Sequence, residues 1–559
     1  MKLKLIQLPV PDLGYAYNDA NIPLAAGYLK SYLVTHQILA QEDIRIIPRP
    51  IANWGGETSI LEWIAESSTD WVGLTTYMWN LDRNRYLAER IKQRYPSIRI
   101  VMGGPEIQPG HPVLNDPAID CFVIGEGERA LGELLRDDQN QRPVKKIYQS
   151  NTYLDLSDLP NPYLMGWLSP ERNESVFLET MRGCPYQCSY CFYSKTYAEI
   201  RFHHPAILPE MIRLAREQAA AEIYLMDPSF NITPRLEERL RIIARSNRTG
   251  IPIHTEIRLE SVTESIADRM AEAGFSSVEV GLQTTHHRSL DAIGRQWDEA
   301  RFLEGARRLQ SRGITVKTGV ILGLPFDRYQ DWQNTLDFLF QAGLHPSMEI
   351  YPLSLIPGTR LRDQADQFGI RYMPFPPYWV TQTPFLSQFE IAEAITELEE
   401  RTQTEYFPNL IPHLRNISPD YRHFIDLRTE AAAIINKIRH HPAEIANHLS
   451  ILIRADQDPA PLWEMAELIK NHSPYTLVQI ILESDSIPPV ETGLRIAEAF
   501  QRPDHFFNHI HYYKNDHQTA FAVRLYHLTS NLETARRYLD EPMYYDLIVH
   551  YHHDLLHQG

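Results

Sequence analysis

The feature that most narrows the fold of this chain is an alternation that occurs twice. From residue 1 to about 136, short apolar stretches at 2–10, 44–48, 71–77, 98–103 and 121–125 alternate with helix-patterned stretches at 22–34, 59–66, 82–95 and 128–136. A second run places strand candidates at 175–181, 222–226, 253–257, 277–281, 315–322 and 348–352, with helix patterns at 210–221, 261–273, 300–311 and 329–342 between them. Strands separated by helices pair in parallel, because a parallel partner is reached only through a crossover. The α/β class follows. Residues 1–140 predict a doubly wound, Rossmann-like parallel sheet, and residues 175–360 a partial βα (TIM-like) barrel. Residues 141–174, marked by Pro160, Pro162 and Pro170, read as a linker. Pro374, Pro376 and Pro377 mark another boundary. Residues 361–559 predict a mainly α-helical C-terminal domain, with helical periodicity read at 430–439 and 475–483, placed to shape substrate choice.

At 559 residues the chain exceeds one ordinary core. Its net charge of −17 argues against a nucleic-acid surface, which would be basic. No apolar run approaches the length that spans a bilayer, and the N-terminus lacks the apolar core and cleavage site of a signal peptide. The expectation is a cytoplasmic protein, in a reducing compartment suited to free thiols.

Three of the four cysteines lie within eight residues, as Cys184-x3-Cys188-x2-Cys191. A [4Fe–4S] cluster normally takes four cysteines; three thiolates on one loop leave one iron open to a substrate or cofactor. The alternative is a structural zinc, which needs a closed tetrahedron and a fourth ligand such as Cys121, His203 or His204. A disulfide would leave one of the three thiols over. The triplet, with Tyr190 before its last cysteine, resembles the radical S-adenosylmethionine (SAM) enzymes, and the resemblance implies a cluster whose open iron chelates SAM. It further implies SAM contacts along the barrel strands. Asp227 stands where relatives carry a Gly-Gly-Glu-like turn, and Glu256 and Arg258 share a face of the third strand with His254. Gln283 closes a Gly-x-Gln-Thr strand end, Ile321 lies on the strand that stacks against adenine, and Tyr351 ends the last strand.

In doubly wound sheets ligands sit at the carboxyl ends of the strands. Those ends carry Pro11, then Thr75-Thr76-Tyr77, Gly103-Gly104-Pro105-Glu106 and Gly125-Glu126-Gly127. Together with Asn21-Ile22-Pro23 and the residues after it, this set resembles the B12-binding domain that precedes the radical SAM core in cobalamin-dependent members. The Asp-x-His-x-x-Gly motif that supplies a histidine to cobalt in methionine synthase is absent. His36 and His111 read as surface or loop residues, so the resemblance implies cobalamin bound without a protein histidine. Most of the 23 histidines fall near the C-terminus, among them His440, His441, His509, His511, His550, His552 and His553, and read as ordinary surface or core residues.

With both modules, the resemblance implies methyl transfer to an unactivated carbon of a peptide or small-molecule substrate, through a 5′-deoxyadenosyl radical and methylcobalamin. It also implies a one-electron donor such as flavodoxin or ferredoxin. No general base is obligatory in that scheme, and no catalytic side chain is assigned. Two rival readings stand beside it: a B12-dependent radical SAM cyclase or rearrangement enzyme, and a non-catalytic B12- or zinc-binding regulatory protein.

Overall fold

The computed structural model describes residues 1–10, 22–150, 152–193, 199–406, 412–503, 506, 509, 523–540 and 545–549. Pro11, Asn21, His511, His550, His552 and His553 lie outside them. The chain divides into two compact units, one of residues 1–21, 45–100 and 407–559, the other of residues 22–44 and 101–406. Among the described residues no helix is long and apolar enough to cross a membrane.

The first sheet contains β1 (Leu3–Gln7), β2 (Ile44–Ile46), β3 (Trp71–Thr75), β4 (Arg99–Gly103), β5 (Cys121–Ile124) and β6 (Ile147–Gln149), in the order 2-1-3-4-5-6. Five of these lie where the apolar stretches placed them. β6 falls inside the expected linker; with three residues and only Tyr148 buried, it carries no readable pattern. The first unit holds β1 and β3, paired parallel from Leu3↔Trp71 to Gln7↔Thr75. The strand order reverses between these two, which is the switch point where doubly wound sheets bind ligands. Lys4 on β1 is buried, with its ammonium 2.6 Å from Trp63 O and 2.8 Å from Ile64 O at the end of the helix Glu57–Ala65. Its charge thus satisfies carbonyls that a helix end leaves without partners.

In the second unit β7 (Ser175–Leu178) leads to the two-residue β8 (Met181–Arg182), which pairs antiparallel with β9 (Arg201–Phe202). Then follow β10 (Glu222–Leu225), β11 (Ile253–Glu256), β12 (Phe275–Gln283), β13 (Thr315–Leu322) and β14 (Met348–Pro352). Their sheet runs 14-13-12-11-10-7, every pair parallel and each strand beside its predecessor. That singly wound order is a partial βα barrel, whose functional end is the carboxyl end of the strands. A small hairpin, β15 (Arg371–Tyr372) and β16 (Val380–Gln382), follows.

The C-terminal segment corrects the helical expectation for residues beyond 403. The helices Gln388–Thr402 and Ala431–His440 are present, but β17 (Arg422–Asp426), β18 (Ile445–Arg454), β19 (Leu477–Glu483), β20 (Val523–Thr529) and β21 (Asp546–Val549) form a five-stranded parallel sheet in sequential order. The stretch 475–483, read as helical, is strand β19. All five of its central residues are buried, because helices cover both faces of a parallel sheet. A strand buried on both faces gives a continuous apolar run, which periodicity does not separate from a buried helix. Within the first unit this sheet packs on the helices that precede β3. Thr58 donates to His472 O at 2.7 Å, Asn447 to Asn53 O at 2.7 Å, and the Tyr475 amide to Glu57 at 3.1 Å. A side chain at Gly56 would meet Ser473 Oγ at 2.4 Å and Ile445 O at 2.8 Å, so the contact requires glycine there.

Candidate active site

The cysteine loop leaves β8 through Gly183, whose φ of +95° and 2.6 Å clearance to Glu199 O exclude a side chain. The loop is tied to the barrel by its backbone. The Ser189 amide donates to Ile293 O (2.8 Å), the Leu361 amide to Ser189 O (2.9 Å) and Arg360 to Gln187 O (3.1 Å). None of the three cysteines forms a disulfide; Cys188 is buried, and Cys184 and Cys191 are half-buried. Among the described residues, no three ligand atoms that include these thiols come within 4.8 Å of one another. Thiolates bound 2.3 Å from one zinc would be about 3.8 Å apart. As placed, the three thiols do not form a preassembled zinc tetrahedron, and three cysteines on one loop suit a polynuclear cluster, in which each thiolate binds a different iron. Burial pushes the Cys184 thiol up, so the thiolate needs a metal to stabilise it.

Tyr190 and Ile321 meet in one apolar cluster with Leu290, Ile293, Leu324 and Leu353. Burial pushes the Tyr190 phenol well up, aided by Cys188 and Cys191. Arg258 lies just beyond β11, its guanidinium 4.3 Å from the Tyr186 ring in the cysteine loop. Asn231 clamps its backbone from both sides, accepting from the Arg258 amide (3.1 Å) and donating to its carbonyl (2.7 Å). The buried Nη1 of Arg258 has no hydrogen-bond partner among the described residues. A donor held beside the cysteines with a bond unmade fits the carboxylate of a bound amino acid.

Glu256 and Glu279 face each other across β11 and β12. Burial, with Glu279 and then Asp227 adding repulsion, raises the Glu256 carboxyl to about 7. Burial also raises Glu279, with Glu349 adding to it. Tyr351 donates to Glu349 and is 43% exposed, and Gly319 leaves room for its ring, 3.5 Å from an ideal Cβ. His254 lies 2.6 Å from Ser277 Oγ, and burial lowers its imidazole to about 4, so it is neutral. Gln283 has φ +73°, and its side chain folds back over Gly281, where a Cβ would be 2.2 Å from Nε2. Arg295 donates to the Gly281 carbonyl.

Asp227 differs from the rest of the expected SAM set. It is fully buried, and Oδ1 accepts from the Thr180 amide (2.7 Å) and the Met181 amide (3.0 Å) while Oδ2 accepts from the Thr180 hydroxyl. Both oxygens are engaged in fixing the corner that leads from β7 into the cysteine loop. Burial raises this carboxyl to about 6 against the pull of those bonds.

At the strand ends of the first unit, Thr76 accepts from Asn84 (3.1 Å), and the Tyr77 ring stacks on Trp79 at 4.4 Å. Asn80 bonds the Tyr77 amide (2.8 Å) and Leu8 O (2.9 Å), tying the ends of β3 and β1 together. Trp79 and Asn80 were not legible as site residues, since neither belongs to a motif. In the second unit, Gly104 (φ +115°) and Gly125 (φ +80°) need glycine for their conformation, and among the described residues no atom lies within 4 Å of where a Gly125 side chain would stand. That open backbone fits the approach of a large flat ligand. Pro105 follows Gly104, and Gly127 packs on Leu29. The acidic members of the set point to protein partners. Glu106 accepts from the Tyr378 hydroxyl and lies 3.4 Å from His111 Nε2; Glu126 accepts from both arms of Arg201. His36 is exposed at a helix end, and His111 caps a short turn by accepting from the Val113 amide. A cluster the sequence did not reveal joins His286, after β12, to Asp327 in the turn after β13 and Asp331 in the helix Tyr329–Gln341. There Asp327 accepts from Ser289, Thr284 and His286, and Asp331 accepts from the Arg328 amide.

The B12 binding domain family matches residues 14–135 and the Radical SAM superfamily residues 178–339. Among curated proteins, the cobalamin-dependent radical SAM methyltransferase TokK of Streptomyces tokunonensis is 27% identical over 399 residues, 63% of this chain and 56% of that protein. The 2-(S-pantetheinyl)-carbapenam-3-carboxylate methyltransferase of Streptantibioticus cattleyicolor matches at the same identity and coverage. The chain thus spans little more than half the length of these relatives. Among solved structures, the cobalamin-dependent SAM radical enzyme OxsB with aqua-cobalamin bound superposes with a TM-score of 0.57 at 16% identity, over 71% of this chain and 67% of that one. The two family matches fall on the 2-1-3-4-5-6 sheet and on the partial barrel with its cysteine loop, so the chain carries a B12 binding domain followed by a domain of the radical SAM superfamily.

Proposed function

We propose that the protein is a cobalamin-dependent radical SAM methyltransferase that acts on an unactivated carbon of a peptide or small-molecule substrate. The observation that carries this reading is the set of three cysteines on one loop at the carboxyl end of the barrel, beside the unspent donor of Arg258. When bound, the cluster and SAM supply a hydrogen-abstracting 5′-deoxyadenosyl radical, and cobalamin supplies the methyl group.

Cys184, Cys188 and Cys191 hold three irons. Arg258 takes the SAM carboxylate, and Glu256, partly protonated near neutrality, takes a hydroxyl or amino group of SAM. Tyr190 and Ile321 form an apolar wall against the adenine, and their buried cluster keeps water from the reacting atoms. Gln283 and Tyr351 complete the lining at the strand ends. Asp227 acts one step back, by fixing the entry to the cysteine loop. Thr75, Thr76, Tyr77, Gly103, Gly104, Pro105, Gly125 and Gly127 are the strand-end residues that the likeness to B12-binding domains assigns to cobalamin. A small one-electron carrier such as flavodoxin or ferredoxin would supply the reducing electrons, two for each methyl group transferred. The TokK and carbapenam relatives favour methyl transfer over cyclisation.

Anaerobic reconstitution tests the reading. The full chain is expected to hold about four iron atoms, to retain added hydroxocobalamin, and to release 5′-deoxyadenosine from SAM on reduction. Alanine at any one of the three cysteines should abolish that release. Zinc in place of iron, or no retained cobalamin, would overturn it. A product 14 mass units heavier than its precursor identifies methylation, and one 2 units lighter identifies cyclisation.

A further inference from the structure

Residues 183–200, which carry the three thiols, are closed at their base by the ladder of β8 and β9. In that ladder Arg182 stands directly opposite Arg201. Like charges facing each other across a ladder repel, and here the side chains are only 7% and 11% exposed, so water screens them little. The group between them comes from another part of the fold. Glu126, in the turn after β5, has Oε1 3.5 Å from Arg182 Nη1 and in contact with Arg201 Nη2, while Oε2 accepts from Arg201 Nη1 at 3.1 Å. Glu128 adds a 2.8 Å bond to Arg182 Nη2 and Glu179 a 2.9 Å bond to its Nε. Arg201 also donates to Leu154 O at 2.6 Å. Glu128 bonds Arg182, and Glu179 bonds Arg182 with its other oxygen 4.0 Å from His203 Nε2; Glu126 touches both arginines.

We propose that Glu126 is a positioning residue for the iron–sulfur loop: its carboxylate, delivered by the B12-type sheet, neutralises the facing arginines and so holds closed the stem that carries Cys184, Cys188 and Cys191. The Gly-Glu-Gly-Glu turn then serves two neighbours. Its glycines leave open backbone at the strand end, and its glutamates hold the barrel's loop. Spacing of the thiols depends on the β5 turn being in place. A corrin contact for Glu126 would compete with this role, because both of its oxygens bond to the arginines. The assignment rests on the proposed function only in naming the loop a cluster loop.

The test is hydrogen–deuterium exchange of peptides covering 181–193 and 199–203 in the full-length reduced protein before iron is added. Glu126→Gln is expected to speed exchange about tenfold. The double variant Glu126→Gln/Arg201→Gln, which removes one of the facing charges as well, should return to within about threefold of the parent. Glu126→Asp, whose shorter arm reaches the arginines less well, should lie between and serves if the glutamine variant does not fold. After reconstitution, Glu126→Gln should keep its iron, yet the electron paramagnetic resonance signal of the reduced cluster should respond less to SAM, with recovery in the double variant. Parent-like exchange in Glu126→Gln, no recovery in the double variant, or loss of hydroxocobalamin with an unchanged stem would each overturn the proposal. Failure of the parent itself to bind iron would refute the proposed function, while the exchange data still decide the clamp.

Discussion

Glu256 shows how a single side chain reports on the barrel interior. Its carboxyl stands at about 7 because burial, then Glu279 and Asp227, disfavour its charge. The folded state therefore holds a proton that the unfolded chain releases near 4.5, and folding stability falls as pH rises from about 4.5 through 7. Glu256→Gln is expected to be more stable than the parent at pH 8, on the order of 2 kcal/mol, with the gain vanishing by pH 4. Urea midpoints at the two pH values check this, and a gain that persists at pH 4 would refute it. The same variant should bind SAM more weakly. At this scale the sequence was most informative about local chemistry. The cysteine triplet is legible because its ligands lie on one short loop, and Gly103 and Gly125 because glycine marks a turn. The partners of Glu106 and Glu126 were hidden, since Tyr378 and Arg201 lie 272 and 75 residues away.

At the scale of elements, the difference between a strand and a helix becomes an experiment. In β19, Ile480 packs in the cluster on one face of the C-terminal sheet, with Leu449 and Met465. Ile481 packs with Leu452, Tyr526 and Leu528 on the other face. Each is fully buried. Alanine at either position should cost about 2–5 kcal/mol, measured by chemical denaturation. A small loss at one of the two would refute the doubly covered strand. The strands of the first two sheets were readable because helices with clear amphipathic faces separate them. Beyond residue 403, β18 and β19 are buried along nearly their whole length, polar Asn447, His448, Ser450 and Gln479 included, so neither shows the alternation that marks a strand with one exposed face.

For the whole molecule, the C-terminal segment does not stand apart. Residues 407–559 share a compact unit with 1–21 and 45–100. Within it, Glu57 is fully buried, bonded to Arg83 at 2.6 Å and to the Tyr475 amide. A chain ending at 406 would lose that amide along with the cover of the helices at 49–65. It is expected to show rapid proteolysis within 45–100, while the cysteine-loop unit, 22–44 and 101–406, resists longer. Equal resistance of both segments would count against the shared unit. Domain order along the sequence suggested three beads in series, and only the tertiary contacts show the first and last segments sharing a core.

That shared core also sets a schedule for biosynthesis. The segment 45–100 leaves the ribosome early, but its partner begins at residue 407. At about 5–20 residues per second, making the intervening stretch takes roughly 15–60 s. Through that interval the apolar faces destined for the C-terminal sheet stay uncovered, so the cell must keep the opening segment from aggregating until the final one emerges.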